Sequence, residues 1–166
     1  MEVEDLGPAE RIVAGAVGEP GDRRFYLQVT AGGERVTMLA EKSQIAALAT
    51  QGVAILDESG ISSDEEAVDR LVSAGMFIED PGFGGERFRV GEIAIALAQS
   101  ELLTVTVESI DEDDAITFVI APEQFRAMAK VAIEVVESGR PTCPWCKLSM
   151  NPEGHDCPAR NGDHRH

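Results

Sequence analysis

The chain has 166 residues and ordinary apolar content, enough to bury a core without disulfides or a metal, and its scattered charges exclude global disorder. The chain's net charge is −16, and residues 1–138, with ten basic and 27 acidic side chains, carry −17 of it against +1 in the rest, so this body is a poor nucleic-acid module and reads as a solvated acidic surface or one that meets a basic protein partner. Met1-Glu2-Val3-Glu4-Asp5 lacks the basic and apolar regions of a signal peptide, and no apolar stretch approaches a membrane span, so the expectation is a cytoplasmic protein without a membrane partner.

Three short β-like runs come first in the chain. Ile12 to Val17 is apolar and ends in the turn formers Gly18-Glu19-Pro20-Gly21-Asp22. Arg24 to Thr30 places Phe25, Leu27 and Val29 on one face, and Ala31-Gly32-Gly33-Glu34 turns the chain into Arg35–Ala40. Tight connections make these an antiparallel meander. Ile45, Leu48, Ala49, Val53 and Leu56 then recur at helical spacing, with Gly52 as a weak point in the middle. Ser62-Ser63-Asp64-Glu65-Glu66 is a capped start for a second helix carrying Ala67, Val68, Leu71 and Val72 to Gly75. Asp80-Pro81-Gly82-Phe83-Gly84-Gly85 is a loop.

Three more β-like runs follow, Phe88–Ala98, Leu102–Ile110 and Ala115–Ala121, with Asp111-Glu112-Asp113-Asp114 as a solvated turn rather than a calcium loop. Pro122 suits the first turn of a helix that carries Phe125, Met128, Ala129, Ala132, Ile133 and Val136 to Gly139. Three strands and a helix thus occur twice. Slid by 80 residues, Val36-Thr37-Met38-Leu39 falls on Ile116-Thr117-Phe118-Val119, and Gln44, Ala47 and Ala49 fall on Gln124, Ala127 and Ala129. The expected fold class is α+β. Pseudo-repeats at about 10–80 and 88–138 build a body over 1–138, with antiparallel sheet or sheets covered by helices, and 139–166 form a separate small zinc-knuckle tail.

All three cysteines and all three histidines lie in that tail. Cys143-Pro144-Trp145-Cys146 is followed after eight residues by His155-Asp156-Cys157. Two such knuckles supply four soft or borderline donors in pairs, and Asn151-Pro152-Glu153-Gly154 turns the second back onto the first. Cys143, Cys146, His155 and Cys157 are therefore the expected ligands of one structural Zn²⁺, a closed set without a position for reactive water. A CxxC thiol-redox pair is the alternative reading, and His164 and His166 are possible competing ligands.

The glycine-rich Gly15–Gly21 lacks the Lys-Ser/Thr of a phosphate loop and reads as a hairpin turn. No catalytic triad is available to a body without histidine. Arg23, Arg24, Arg87 and Arg89 are candidates for a cluster holding an acidic ligand, although ordinary surface pairing is the simpler reading.

The run Ala14-Gly15-Ala16-Val17-Gly18-Glu19-Pro20-Gly21-Asp22-Arg23-Arg24-Phe25-Tyr26-Leu27-Gln28, together with Glu41–Leu48, Phe88–Gly91 and the tail from Gly139 to Gly162, resembles an actinobacterial family classed as a domain of unknown function. The resemblance implies a bacterial cytosolic protein with a zinc-ribbon-like end and carries over no activity. The family pattern has glycine where this chain has Lys147 and a basic residue directly after Pro158, where this chain has Ala159 and then Arg160. Neither difference touches an expected zinc ligand.

Two functional expectations follow. The first is a non-enzymatic binding or adaptor protein with an unidentified protein partner, its zinc tail presenting Trp145, Leu148 and Met150 to the body or to the partner. The second is a protein that binds, or an enzyme that acts on, a small phosphorylated or anionic metabolite between the pseudo-repeats, with Arg24, Gln28, Lys42 and Arg89 as polar lining.

Overall fold

A computed structural model of the chain describes residues 2–19 and 21–138. It shows a mixed α+β fold with seven strands in one sheet and three α-helices. In chain order these are β1 (Glu2–Pro8), β2 (Arg11–Val17), β3 (Arg24–Ala31), β4 (Glu34–Ala40), α1 (Lys42–Glu58), α2 (Glu65–Ser73), β5 (Phe88–Leu97), β6 (Leu103–Ser109), β7 (Asp114–Ile120) and α3 (Pro122–Ser138). The expected runs and helices are present within one to three residues at nearly every boundary. β1 is the exception, because no element is expected from its sequence. Its polar residues alternate poorly and it contains Gly7 and Pro8, yet it pairs with β7 from Glu2↔Asp114 onwards.

The strand order is β1-β7-β6-β5-β4-β3-β2. The two meanders, β2-β3-β4 and β5-β6-β7, are antiparallel throughout, as their short connections require. They join side by side into one sheet. The junction is parallel and short, at Met38↔Phe88 and Leu39↔Arg89, and β1 makes the other parallel junction on β7. β1 and β2 occupy opposite ends of the strand order but are separated only by Ala9 and Glu10. The Ala9 N–H donates to Val119 in β7 at 2.8 Å, while the Glu10 N–H donates to Thr30 in β3 at 2.7 Å. The two ends of the sheet therefore meet at Ala9–Glu10, and the sheet is rolled.

Strand alternation puts one apolar set inside this roll. Ile12 and Ala14, Phe25, Leu27 and Val29, and Val36 and Met38 come from the first meander; Leu103, Val105 and Val107, and Ile116, Phe118 and Ile120 come from the second. Helices α1 and α3 complete the core with Ile45, Leu48 and Leu56 and with Phe125, Met128 and Ala132. Gly52 has a packing reason for its place in α1. A Cβ there would lie 2.0 Å from Cζ of the fully buried Phe125, so the two helices meet at this glycine.

On the outer face of β2-β3-β4, the stretch after α2 acts as a cover. Gln28, buried in β3, donates to Thr37 Oγ1 at 3.1 Å and to the Glu79 carbonyl at 2.6 Å, and its Oε1 accepts from the Glu79 N–H at 3.0 Å. Ile78 lies against Gly15, where a Cβ would come within 2.8 Å of its Cγ1. The first hairpin turns at Gly18, whose φ of 108° and close approach to the Asp22 carbonyl suit glycine alone.

Two elements of the first half match the bounds of two in the second at an offset of eighty. Shifted by that amount, β4 (Glu34–Ala40) becomes β7 (Asp114–Ile120), and α1 (Lys42–Glu58) becomes α3 (Pro122–Ser138). The strand registers differ slightly. Phe25 pairs with Ala40 in the first half, whereas Val105, its offset position, pairs with Phe118 and not with Ile120.

Candidate functional site

A cleft of about 770 Å³ opens between α1, α2 and α3. Its floor comes from positions spaced three and four apart on two helices, which share a face. Helix α1 contributes Ala49, Thr50, Val53 and Asp57, and α3 contributes Arg126, Ala129, Lys130 and Ile133. Ile61, Ser62 and Ser63 of the α1–α2 connection, with Glu65 and Val68 of α2, close one side. Asp64 fixes that side by capping α2, its Oδ1 accepting from the Glu66 N–H at 3.1 Å. Three pairs of lining residues are eighty apart: Ala49 and Ala129, Thr50 and Lys130, Val53 and Ile133. The cleft thus straddles the contact between the two corresponding helices.

The polar groups are unevenly shared. Arg126 has only about a fifth of its side chain exposed; its Nη2 donates to Asp57 Oδ1 at 2.8 Å and to the Ile61 carbonyl at 2.6 Å. Its Nε is buried and has no hydrogen-bond partner among the described residues, and the same holds for Ser63 Oγ. Lys130 Nζ donates to Asp69 at 3.0 Å, and this hydrogen bond raises the lysine pKa. Arg126 and Lys130 balance Asp57 and Glu65 around the lining, a locally neutral spot on a strongly acidic body. Apolar surface from Val53, Ile61, Val68 and Ile133 makes up the rest. Size, apolar walls and a few convergent polar groups are the features of a small-molecule site.

The residues singled out from sequence lie elsewhere. Arg24 and Gln28 occupy alternate positions on the outer face of β3, and Arg89 is on the same face of β5, opposite Leu39. Arg24 and Arg89 are exposed, while Gln28 is engaged by Thr37 and Glu79. Lys42 opens α1. None of the four lines the cleft. Arg23 donates to the Val135 carbonyl at 3.1 Å and to Ser138 Oγ at 3.2 Å at the end of α3. Arg87 holds Asp114 with two hydrogen bonds of 2.9 and 3.0 Å and also pairs with Glu4. Two of the four arginines are thus tied into the body's own contacts. Cys143, Trp145, Cys146, His155, Cys157, His164 and His166 lie outside the described residues, and so does the expected zinc site. Sequence reasoning missed Arg126, Lys130, Thr50 and Ser63. The available signal was polar side chains at positions 126 and 130, in line with Ile133 on one helix face.

These features define a mixed α+β domain with a rolled sheet and a helix-lined cleft. The chain belongs to the family described as "Protein of unknown function (DUF3090)", whose sequence profile matches residues 5–157. No curated protein and no solved structure matches the chain significantly. Among the described residues no helix is long and apolar enough to cross a membrane.

Proposed function

We propose that the protein binds a small molecule in the cleft between α1, α2 and α3, and that binding rather than catalysis is its role. The cleft itself carries the reading: it is of ligand size, walled by apolar side chains and polar at one end. Residues 1–138 hold no histidine or cysteine to act as base or nucleophile there. The corresponding element bounds and the paired lining residues further support an internal duplication, with the ligand between the two copies. Amide chemical shifts on titrating the full-length protein with small organic probes test the site, beside a Thr50→Trp variant. Position 50 is exposed, so the indole fills the cleft mouth without entering the core. Shifts confined to 49–68 and 126–133 that vanish in the variant are expected. Shifts elsewhere, or binding indifferent to the indole, would sink the idea.

The tail is proposed as a structural zinc unit liganded by Cys143, Cys146, His155 and Cys157. The donor set supports it: three thiolates and an imidazole in two knuckles fill a tetrahedral sphere. Trp145, Leu148 and Met150 give such a unit an apolar surface for a protein partner or for the body. Pull-down with the full chain against a chain ending at Ser138 separates these uses. Recovery of the same proteins by both would remove the partner role.

A further inference from the structure

We propose that the protein forms a two-fold dimer through β5, whose open edge pairs antiparallel with β5 of a second copy across an axis at Ile95. The dimer is independent of the cleft and of the tail.

Beyond its first residues β5 has no strand on one side. Its neighbour β4 pairs only with Phe88 and Arg89, and Gln44 takes the Val90 and Gly91 carbonyls. From Glu92 to Leu97 only β6 pairs with it among the described residues. The Ala98 N–H donates to the Leu102 carbonyl at 2.7 Å, so in this antiparallel ladder the even-numbered residues turn their backbone groups to β6. Ile93, Ile95 and Leu97 therefore turn three N–H and three C=O groups to the open side, where no described residue bonds them. The counterpart strand is better covered. At the offset of eighty, residues 91–97 correspond to β2, in which Ile12 to Gly15 are all buried beneath α3 and the stretch after α2. In β5, Ala94, Ala96 and Leu97 are exposed, and Ile93 and Ile95 are only half-buried.

Open edges are ordinarily blunted by lysine, proline, a bulge or a cover. Residues 92–97 have no lysine or proline, and the register irregularity of β5 lies before them, between Val90 and Glu92. This edge fits its own copy. An axis at Ile95 sets Ile93 opposite Leu97, Ala94 opposite Ala96 and Ile95 opposite itself, and the three odd-numbered residues exchange six hydrogen bonds with their mates. Opposite residues share a face, so the two sets of Ile93, Ile95 and Leu97 continue one apolar side across the axis. Pairing ends with Glu92 opposite Ala98, short of Gln44 at one end and of the short turn at Gln99–Glu101 at the other.

Charge selects the same place. In a chain of net charge −16, Ile93 to Ser100 is a run without a charged residue, where two acidic bodies can approach. The two Glu92 side chains lie six residue steps apart, roughly 20 Å, well beyond the screening length of about 8 Å at physiological salt. A basic peptide would find no carboxylate from Ile93 to Leu97 to hold it.

Sedimentation equilibrium of the full-length protein in reducing buffer, from about 5 to about 500 µM, tests the dimer. An interface of one strand from each copy is small, so a monomer–dimer equilibrium with a micromolar Kd is expected. Raising salt from about 0.1 to about 0.5 M should tighten it, because salt screens the repulsion between two acidic chains. Leu97→Pro removes an N–H that faces only the open side and leaves the bonds to β6 in place. It should weaken the dimer at least about tenfold while thermal melts show a folded chain. Hydrogen exchange supplies a readout that needs no variant and decides alone if Leu97→Pro does not fold. The Ile93, Ile95 and Leu97 amides should exchange more slowly at high protein concentration, and the Ala94 and Ala96 amides should not change. A monomer at every concentration would overturn the proposal. So would a dimer kept at full strength by folded Leu97→Pro, a dimer that salt weakens, or protection that arises in other strands.

Discussion

Gln44 and Gln124, eighty residues apart, make the same contact in opposite halves of the molecule. The Gln44 Nε2 donates to the Val90 and Gly91 carbonyls, both at 3.1 Å, and the Gln124 Nε2 donates to the Glu10 carbonyl at 2.7 Å. Val90 and Glu10 are themselves eighty apart. Gln44 of α1 thus reaches β5, and Gln124 of α3 reaches the residue directly before β2, so each helix contacts the other half and the halves interlock. Gln44 also accepts from the Glu41 N–H at 2.8 Å, which ties this contact to the start of α1.

Replacing either glutamine by alanine should destabilise the fold by about 1–2 kcal/mol, because a backbone carbonyl of the other half loses its donor. Gln44→Ala should cost more than Gln124→Ala, since it frees two carbonyls and an amide. Urea unfolding measures both. Neutral effects for both would show that water serves these carbonyls equally well and that the interlock contributes nothing.

Gly52 gives the next prediction. Alanine in the middle of an exposed helix would raise stability by up to about 1 kcal/mol. Here the new Cβ would sit 2.0 Å from the Phe125 ring, which has no room to retreat. Overpacking of this kind costs about 1–3 kcal/mol or more. Gly52→Ala should therefore lower the melting temperature, and Phe125→Leu in the same chain should restore part of the loss. A stabilised Gly52→Ala would mean that α1 and α3 do not meet at this residue.

Sequence made most elements legible because their apolar periods are strong: Phe25-Leu27-Val29 alternates, and Ile45-Leu48-Ala49 recurs at helical spacing. The correspondence at offset eighty is legible in the sequence at Gln44 and Gln124, which make matching contacts in the fold. β1 was not legible, since its partner β7 lies more than a hundred residues away and its polar residues carry no periodic signal. The cleft was hidden for a related reason. Arg126 reads as an ordinary helix surface cation until packing brings Asp57 and Ile61 against it. Gln28, expected from sequence to contact a ligand, instead fastens the covering stretch after α2 at Glu79.

Arg87 links three distant pieces of chain, pairing with Glu4 in β1 and Asp114 in β7. Its hydrogen bonds hold the Asp114 carboxyl below the ordinary carboxylate range. A carboxyl lowered in the folded state stabilises above its unfolded pKa of about 3.9, and that contribution is lost as pH falls through the lower folded value. Arg87→Met should cost no more than about 1 kcal/mol at neutral pH, because the group is partly exposed and screened. The difference from wild type should shrink in 0.5 M salt and disappear in the acid range. Unfolding curves from pH 2 to 7 test this; a difference that stays constant with pH would point to lost packing of the arginine stem.

The last prediction concerns the tail. The core of the described residues draws on Ala9 through Ala132 with Ile133, Val135 and Val136 packed against it, and none of these is a thiol or imidazole. A body of this size supports its own core. Cys146→Ser should therefore abolish zinc binding and leave the main unfolding transition within a few degrees of wild type. Wild-type protein purified without chelator should carry about one zinc per chain, with Zn–S near ~2.3 Å and Zn–N near ~2.0 Å by X-ray absorption. Zinc binding requires deprotonated thiols, so mild acid should release the metal before the body unfolds. Substoichiometric zinc with a Cys143–Cys146 disulfide in non-reducing buffer would favour the thiol-redox reading instead. Loss of the main transition in Cys146→Ser would show that the metal supports the body as well as the tail.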